Sequence, residues 1–251
     1  MISRRCAFTV ALICLVTFAT VLGAENRDGR VRALKALLDR LRSPKWQESE
    51  AAFQSLETDR WVTIEALLRV LRVPERGPDD YVARMHAMEI LGEYRAVEAV
   101  DVLIAHLTDV HPFPVVWDRP ASWDGVSRSE RHPLRLYPAA FALVQIGNRS
   151  MRPLLDRLTR PVNDDELRIM AFVIYMIDGK DLGLARLKLA VDGGEYKGPA
   201  RDNLARLYDV YKTTDFRDMR QWPRPKSASP DPKDSPPKAD GAPSQRAGPS
   251  E

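Results

Sequence analysis

The stretch that decides the fold is residues 83–107, ARMHAMEILGEYRAVEAVDVLIAHL, which reads as two amphipathic helices joined by a short turn. In its second half, apolar residues follow the spacing i, i+3, i+4, i+7, which places them on one face of a helix. These residues are Val100, Leu103, Ile104 and Leu107. In its first half, a broad apolar arc leaves a narrow polar stripe, formed by His86, Glu89 and Glu93. A solvated helix surface explains this stripe better than a metal site, which needs three or four converging ligands.

The same apolar spacing recurs along the chain. All four positions of this spacing are apolar in residues 34–41, 64–71 and 151–158, and three of the four are apolar in residues 184–191. The stripes begin at residues 34, 64, 100, 151 and 184, so the steps are 30, 36, 51 and 33 residues. A period of 30 to 36 residues indicates one helix-turn-helix unit per repeat, which buries its apolar face only by stacking on neighbours. The longer step contains an insertion of about 15–20 residues.

Two of these runs resemble HEAT-like repeats of the short bacterial type, which also occur in phycobilin lyase-like proteins. They are AMEILGEYRAVEAVDVLIAHL (87–107) and AFALVQIGNRSMRPLLDRL (140–158). The resemblance covers about Val31–Tyr211. It implies an all-α, right-handed α-solenoid of about four to five helical hairpins. The positions that match are core positions, so the resemblance bears on fold rather than on function.

Local signals refine this prediction. Three glycines follow the first helices of the hairpins, where a left-handed C-cap residue is expected: Gly92, Gly147 and Gly179. In the helix predicted over Lys45–Thr58, three large side chains are expected to face the core: Trp46, Phe53 and Leu56.

The N-terminal segment Met1–Ala24 has the pattern of a signal peptide, with Arg4 and Arg5 ahead of the apolar run Cys6–Leu22. It predicts export to the periplasm or the cell exterior. The alternative is an uncleaved membrane anchor, since the run of 17 residues is at the lower limit for spanning a bilayer. A membrane association is therefore expected only if the segment is retained.

The charge and cysteine content exclude several classes of function. The chain has a net charge of +3, and without residues 1–24 it has 36 basic and 35 acidic residues, so no nucleic-acid-binding surface is expected. Both cysteines, Cys6 and Cys14, lie in the predicted signal peptide. The mature protein is thus expected to have no disulfide, no thiolate ligand and no cysteine nucleophile. No cofactor is predicted.

Residues 108–133, TDVHPFPVVWDRPASWDGVSRSERHP, form the predicted inserted loop, with four prolines and no helical period. A loop this long within a compact domain is uncommon and often functional. The residue types that dominate binding hot spots give five candidates for contact with a partner: Trp117, Arg119, Trp123, Arg128 and Arg131. The two tryptophans either bind a partner or fix the loop to the helices. His111 and His132 bracket the loop and are weak candidates for metal binding.

The predicted organisation is a signal peptide over residues 1–24, a HEAT-like repeat domain over 25–212 with the loop 108–133, and a disordered Pro-rich tail over 213–251. Residues 223–251 contain eight prolines and nothing more apolar than alanine. Without a catalytic constellation, the first hypothesis is an exported, non-enzymatic module that binds a protein. The alternatives are an enzyme or enzyme accessory of the phycobilin lyase-like type and a membrane-tethered scaffold of the cell envelope.

Overall fold

The computed structural model describes residues 27–58, 60–72, 77–110, 136–218 and 221, and these residues form helices and turns without a strand. The N-terminal helices are α1 (Arg27–Leu41), α2 (Trp46–Thr58), α3 (Arg60–Arg72), α4 (Pro78–Glu93) and α5 (Val100–Ala105), the last preceded by the 3₁₀ turn Val97–Ala99. The C-terminal helices are α6 (Pro138–Ile146), α7 (Met151–Asp156, between the 3₁₀ turns Gly147–Ser150 and Arg157–Thr159), α8 (Asp164–Asp192) and α9 (Pro199–Thr213). The all-α prediction is therefore confirmed for the described chain.

Residues with positive φ lie where several helices end or are interrupted. Gly147 has φ 79° and Gly179 has φ 72°, the left-handed values predicted for them. Gly179 divides α8 into two straight helices, residues 164–178 and 180–192. The prediction for Gly92 was wrong, because Gly92 lies inside α4 and the left-handed residue after that helix is Arg95, with φ 51°.

One series of helices packs pair by pair, and we call its members, α1, α4, α6, residues 164–178 and α9, the parallel helices. In chain order α1 packs on α4, α4 on α6, α6 on α8, and α8 on α9. Near the C-terminal ends of α1 and α4, Arg42 Nε lies 2.8 Å from Glu93 Oε1. Near the same ends of α8's first half and α9, the Tyr211 hydroxyl donates to the Gly179 carbonyl at 2.6 Å. Because C-terminal ends meet C-terminal ends, α1 is parallel to α4 and the first half of α8 is parallel to α9.

The remaining helices connect the parallel helices in the sequence. We call α2, α3, α5, α7 and residues 180–192 the return helices. Among them α5 packs on α7, and α3 packs on the turn Val97–Ala99. The core lies between the parallel and the return helices. All four complete apolar stripes predicted from the sequence are buried there, and in the fifth Leu187 is fully buried.

The prediction that Trp46 faces the core was wrong, since 74% of its surface is exposed. Helix α2 buries Ala52, Ser55 and Leu56, and Phe53 is partly buried. At 100° per residue, Trp46 projects within about 20° of Phe53 around the helix axis, so its direction alone does not explain its exposure. Trp46 is the first residue of α2, where the described residues do not cover it.

The packed part of the chain extends beyond the predicted start of the tail at residue 213. Phe216 is buried, stacks on Tyr175 with 4.3 Å between ring centroids, and meets Phe172 edge-on at 4.9 Å. The predicted signal peptide and residues 222–251 of the predicted tail lie outside the described residues. Within the described ranges, no helix has the length and apolar character that crossing a membrane requires.

Candidate functional site

The residues predicted to contact a partner all belong to residues 111–135, which lie outside the described residues. They are Trp117, Arg119, Trp123, Arg128 and Arg131, and the same holds for the weak metal candidates His111 and His132. The structure does describe the residues on either side of this segment, Val110 after α5 and Leu136 before α6. The side chains around the first of these points form a polar cluster that the sequence analysis did not identify.

We call this cluster the loop root and define it as Tyr81, Arg84, His106, Asp109 and Val110. The Tyr81 hydroxyl donates to the Val110 carbonyl. His106 Nδ1 lies 2.8 Å from Asp109 Oδ2, and Arg84 Nη1 lies 3.8 Å from the same oxygen. Arg84 is buried, while His106 and Asp109 are half-buried. The loop root therefore fixes the last described residues before 111 to α4.

A histidine paired with an aspartate is also the orienting half of a catalytic triad. Such a pair activates a nucleophile only when a hydroxyl or thiol lies beside the imidazole. Within the described chain, His106 pairs with Asp109 and His86 with Glu89, and no serine or threonine hydroxyl hydrogen-bonds to either ring. Because Arg84 also balances the Asp109 charge, we interpret the pair as a structural contact at the end of α5.

The polar stripe of α4 is an interhelical ion-pair site rather than a solvated surface. Arg42, just after α1, lies 2.8 Å from Glu93 and 3.4 Å from Glu89, and His86 Nδ1 lies 3.3 Å from Glu89. All four side chains are at least partly buried. The sequence did not reveal this contact because Arg42 comes from another helix. No three histidine, cysteine, aspartate or glutamate side chains in the described ranges converge on a metal position.

A pocket of about 370 Å³ lies at the C-terminal end of α5. It is lined by Ile104, Ala105, Leu107, Thr108, Arg157, Arg160, Pro161 and Glu166. Arg157 Nε lies 2.9 Å from Glu166 Oε1. Burial raises the pKa of Glu166, and Arg157 offsets only part of that rise. Arg157 and Glu166 neutralise each other, and Arg160, the remaining charged residue of the lining, is exposed to solvent. We assign the pocket no ligand.

The two tryptophans that the structure describes are both exposed. Trp46 begins α2 and Trp61 is the second residue of α3, with 74% and 72% of their surfaces accessible. Val62, beside Trp61, is also exposed. Sequence reasoning missed Trp61, because it precedes the buried Ile64 by three residues, a spacing typical of one helical face. It lies in the first turn of α3, where the described helices do not cover it.

The residue before Trp61, Arg60, is held by contacts between α3 and the turn after α4. Arg60 Nη2 lies 3.1 Å from Glu98 Oε2, and the Arg60 guanidinium lies 4.7 Å from the centre of the Tyr94 ring. Burial raises the pKa of Tyr94 to about 12. Burial alone would raise the pKa of Glu98, but hydrogen bonds from its backbone and from Arg60 outweigh it and lower the pKa. These contacts attach the first residue of α3 to the turn after α4, next to the exposed indole.

The described residues therefore contain a polar cluster at the loop root and two exposed indoles, one at the start of α2 and one at the start of α3. Comparison with known proteins adds no family assignment, since no family model matches the chain and no curated protein matches it.

Proposed function

We propose that the chain is a HEAT-like α-solenoid that acts as an exported, non-enzymatic scaffold for binding a protein partner. The repeat period of 30 to 36 residues and the alternation of parallel and return helices support the solenoid. Solenoids present extended surfaces suited to protein binding. The apolar stripes buried between the two layers are accounted for by the fold, so binding depends on side chains that the fold leaves exposed.

The exposure of Trp46 and Trp61 is the observation that carries this proposal. Tryptophan buries a large apolar area and is enriched among residues that dominate binding energy. Leaving two indoles exposed to water adds nothing to the stability of a fold that already has a sufficient core. Each indole is exposed on a return helix, whereas no large apolar side chain of the parallel helices is strongly exposed within the described residues. The exposed starts of α2 and α3 are therefore the positions expected to meet the partner.

The support under Trp61 favours tight recognition. Arg60 is fixed by Glu98 and by the Tyr94 ring, so the first turn of α3 loses little conformational freedom when a partner binds. Preorganisation of this kind raises affinity by lowering the entropic cost of association. The partner is accordingly expected to present a concave apolar site that accepts the indole.

The proposal is tested by replacing Trp61 with a photoreactive phenylalanine analogue in the native cell and irradiating it. Arg72, exposed at the other end of α3, is the matched control position. We expect a discrete crosslinked species of defined mass from position 61 and not from position 72. The captured protein, once purified, should then bind wild type and lose at least about tenfold in affinity for Trp61→Ala, as expected of a hot-spot residue. Crosslinking that is equal at both positions would contradict the proposal.

The export component is tested on the N-terminus of the protein recovered from its native cell. Cleavage of the predicted signal peptide should give a chain that begins at Ala24 or Glu25, measured by intact-mass analysis of the envelope fraction. A mass that retains residues 1–24, together with extraction only by detergent, would instead support the membrane-tethered alternative. Recovery of the uncleaved chain from the cytoplasm would contradict export.

A further inference from the structure

The last return helix, residues 180–192, carries an exposed apolar stripe on the side opposite the core. Leu182 is 57% and Leu189 is 73% exposed, and Ala185 between them is exposed as well. Leu187, on the other side of the same helix, is fully buried. The helix is thus apolar on two opposite faces, of which only one has a partner among the described residues.

The spacing of the stripe is that of a helix-pairing seam. Leu182, Ala185 and Leu189 follow one another at intervals of three and four residues, as the a and d positions of a coiled coil do. The small Ala185 at the centre permits close approach of a second helix. An isolated exposed leucine needs no explanation, but three apolar residues in this register form a continuous line about 10 Å long.

Charged side chains bound the stripe on both edges. On one edge Arg186 Nε lies 2.6 Å from Asp178 Oδ2, and Arg186 Nη2 lies 3.0 Å from Asn148 Oδ1. On the other edge lie Asp181 and the Lys188–Asp192 ion pair. Within the described residues Asp181 has no ion-pair partner. An apolar line with a charged rim is the usual anatomy of a protein interface.

We propose that this stripe is the contact of a homodimer, in which residues 180–192 of two copies pack antiparallel across a two-fold axis. With the axis near Ala185, Leu182 of each copy lies against Leu189 of the other. The same pairing brings Asp181 of each copy close to Lys188 of the other. Such an isologous contact is self-complementary, because each interaction occurs twice.

The second copy is favoured over an unrelated partner by this self-complementarity of shape and charge. Two arginines would meet near the axis, but each Arg186 is already neutralised by the buried Asp178 of its own chain. A pair of 13-residue helices about 20 Å long buries less than the roughly 1,200–2,000 Å² of a standard interface. The dimer is therefore weak and forms only at high protein concentration.

Sedimentation velocity on the full chain, over a concentration series reaching the millimolar range, tests the dimer. We expect wild type to shift from monomer toward dimer as concentration rises. Leu189→Glu, at a site too exposed to affect folding, should remain monomeric throughout, with circular dichroism confirming its helix content. Trp61→Glu should dimerise like wild type, which separates this contact from the partner-binding surface. A monomeric wild type, a Leu189→Glu variant that still dimerises, or a Trp61→Glu variant that does not, would each overturn the proposal.

A charge exchange tests the antiparallel arrangement itself. Asp181→Lys and Lys188→Asp should each raise the dimer dissociation constant about three- to fivefold, as expected from two symmetry-related surface ion pairs. The double variant restores opposite charges across the axis and should return the constant toward that of wild type. Equal weakening in the single and double variants would exclude the proposed register.

Discussion

Gly92 shows how a single residue sets the distance between two helices. A Cβ atom at this position would lie 2.3 Å from Gln145 Oε1 and 2.7 Å from Ala142 Cα, both on α6. No real Cβ contact is so short, and Ala142 contributes backbone that cannot rotate away. Glycine is therefore present in the interior of α4 because α4 and α6 touch there, and the helix-propensity cost of glycine is offset by this close packing.

Replacing Gly92 with alanine separates these two effects. Helix propensity alone would stabilise the variant by about 0.5–1 kcal/mol. Overpacking against Ala142 and Gln145 should outweigh it and destabilise the protein by about 1–3 kcal/mol. Chemical denaturation of wild type and Gly92→Ala measures the difference. A variant as stable as wild type, or more stable, would show that α4 and α6 are not in contact at Gly92.

The ion pair between Arg60 and Glu98 should make stability depend on pH. The pKa of Glu98 is lowered below its ordinary value of 4.5. Its contribution is thus present above the pKa of the unfolded chain and is lost as the pH falls through the pKa of the folded state. Glu98→Gln should cost about 0.5–1 kcal/mol at pH 7. The gap from wild type should narrow as the pH falls through the pKa of the folded state, which lies below that ordinary value.

Urea titrations at pH 7 and at successively lower pH down to about 3, well below the ordinary pKa of a glutamate, check this expectation. Glu65→Gln is the control, because Glu65 faces Arg72 in an exposed pair at 3.6 Å. The control should change stability little at either pH. If Glu98→Gln cost as much at the lower pH as at pH 7, its effect would come from packing rather than from charge.

At the scale of elements, a lysine joins α8 to the end of α9. Lys180 Nζ donates to the carbonyl oxygens of Tyr211 at 2.6 Å and of Thr214 at 2.9 Å. It also lies 4.7 Å from the centre of the Phe216 ring. Carbonyls at a helix C-terminus have no intrahelical donor, so the ammonium group satisfies them and interacts favourably with the helix dipole. Burial lowers the pKa of Lys180, and Asp215 offsets part of that effect.

Lys180→Met keeps the aliphatic chain and removes the donor. We expect a loss of about 1.5–3 kcal/mol, the range for hydrogen bonds to a charged group. The amides of Thr214 and Asp218, which donate to Val210 and Asp215, should exchange faster, since the segment they belong to is no longer held by Lys180.

Hydrogen exchange resolved by residue measures this effect. Lys212→Met, at an exposed position on the same helix α9, serves as the control and should leave both stability and exchange unchanged. Faster exchange throughout α9 in both variants would point to general weakening of the helix instead of a lost cap.

At the scale of the whole molecule, the first and last described helices expose polar side chains, as the ends of the proposed solenoid require. Helix α1 exposes Arg32, Lys35 and Asp39, and α9 exposes Arg201 and Arg206 among others. Terminal repeats with polar outer faces prevent further stacking of copies end to end. The proposed dimer uses a return helix and is therefore compatible with these closed ends.

Two truncations locate the end of the packed chain. Deleting Pro223–Glu251 should leave the melting temperature unchanged, because that segment has too few apolar residues to form a core. Deleting residues 214–251 also removes Phe216 from its contacts with Tyr175 and Phe172. That should cost about 3–5 kcal/mol, as loss of a buried phenylalanine does.

Differential scanning calorimetry compares the two truncated chains with the full chain. The pair is matched, because the shorter deletion removes only the Pro-rich segment. Equal melting temperatures for both truncations would mean that Phe216 adds nothing to stability. A large loss for the shorter deletion would mean that residues 223–251 pack on the helices.

The sequence by itself determined the helices, their apolar stripes and the left-handed glycines at residues 147 and 179. These features depend on residues a few positions apart, so a repeated pattern of apolar side chains is sufficient to specify them. Only the tertiary structure decided the close helix contact at Gly92, the exposure of Trp46 and the ion pairs of Arg42. Each depends on a helix distant in the sequence, since exposure and ion pairing are fixed by which surfaces meet. Local periodicity specifies the direction in which a side chain projects from its helix, and packing determines whether anything lies there.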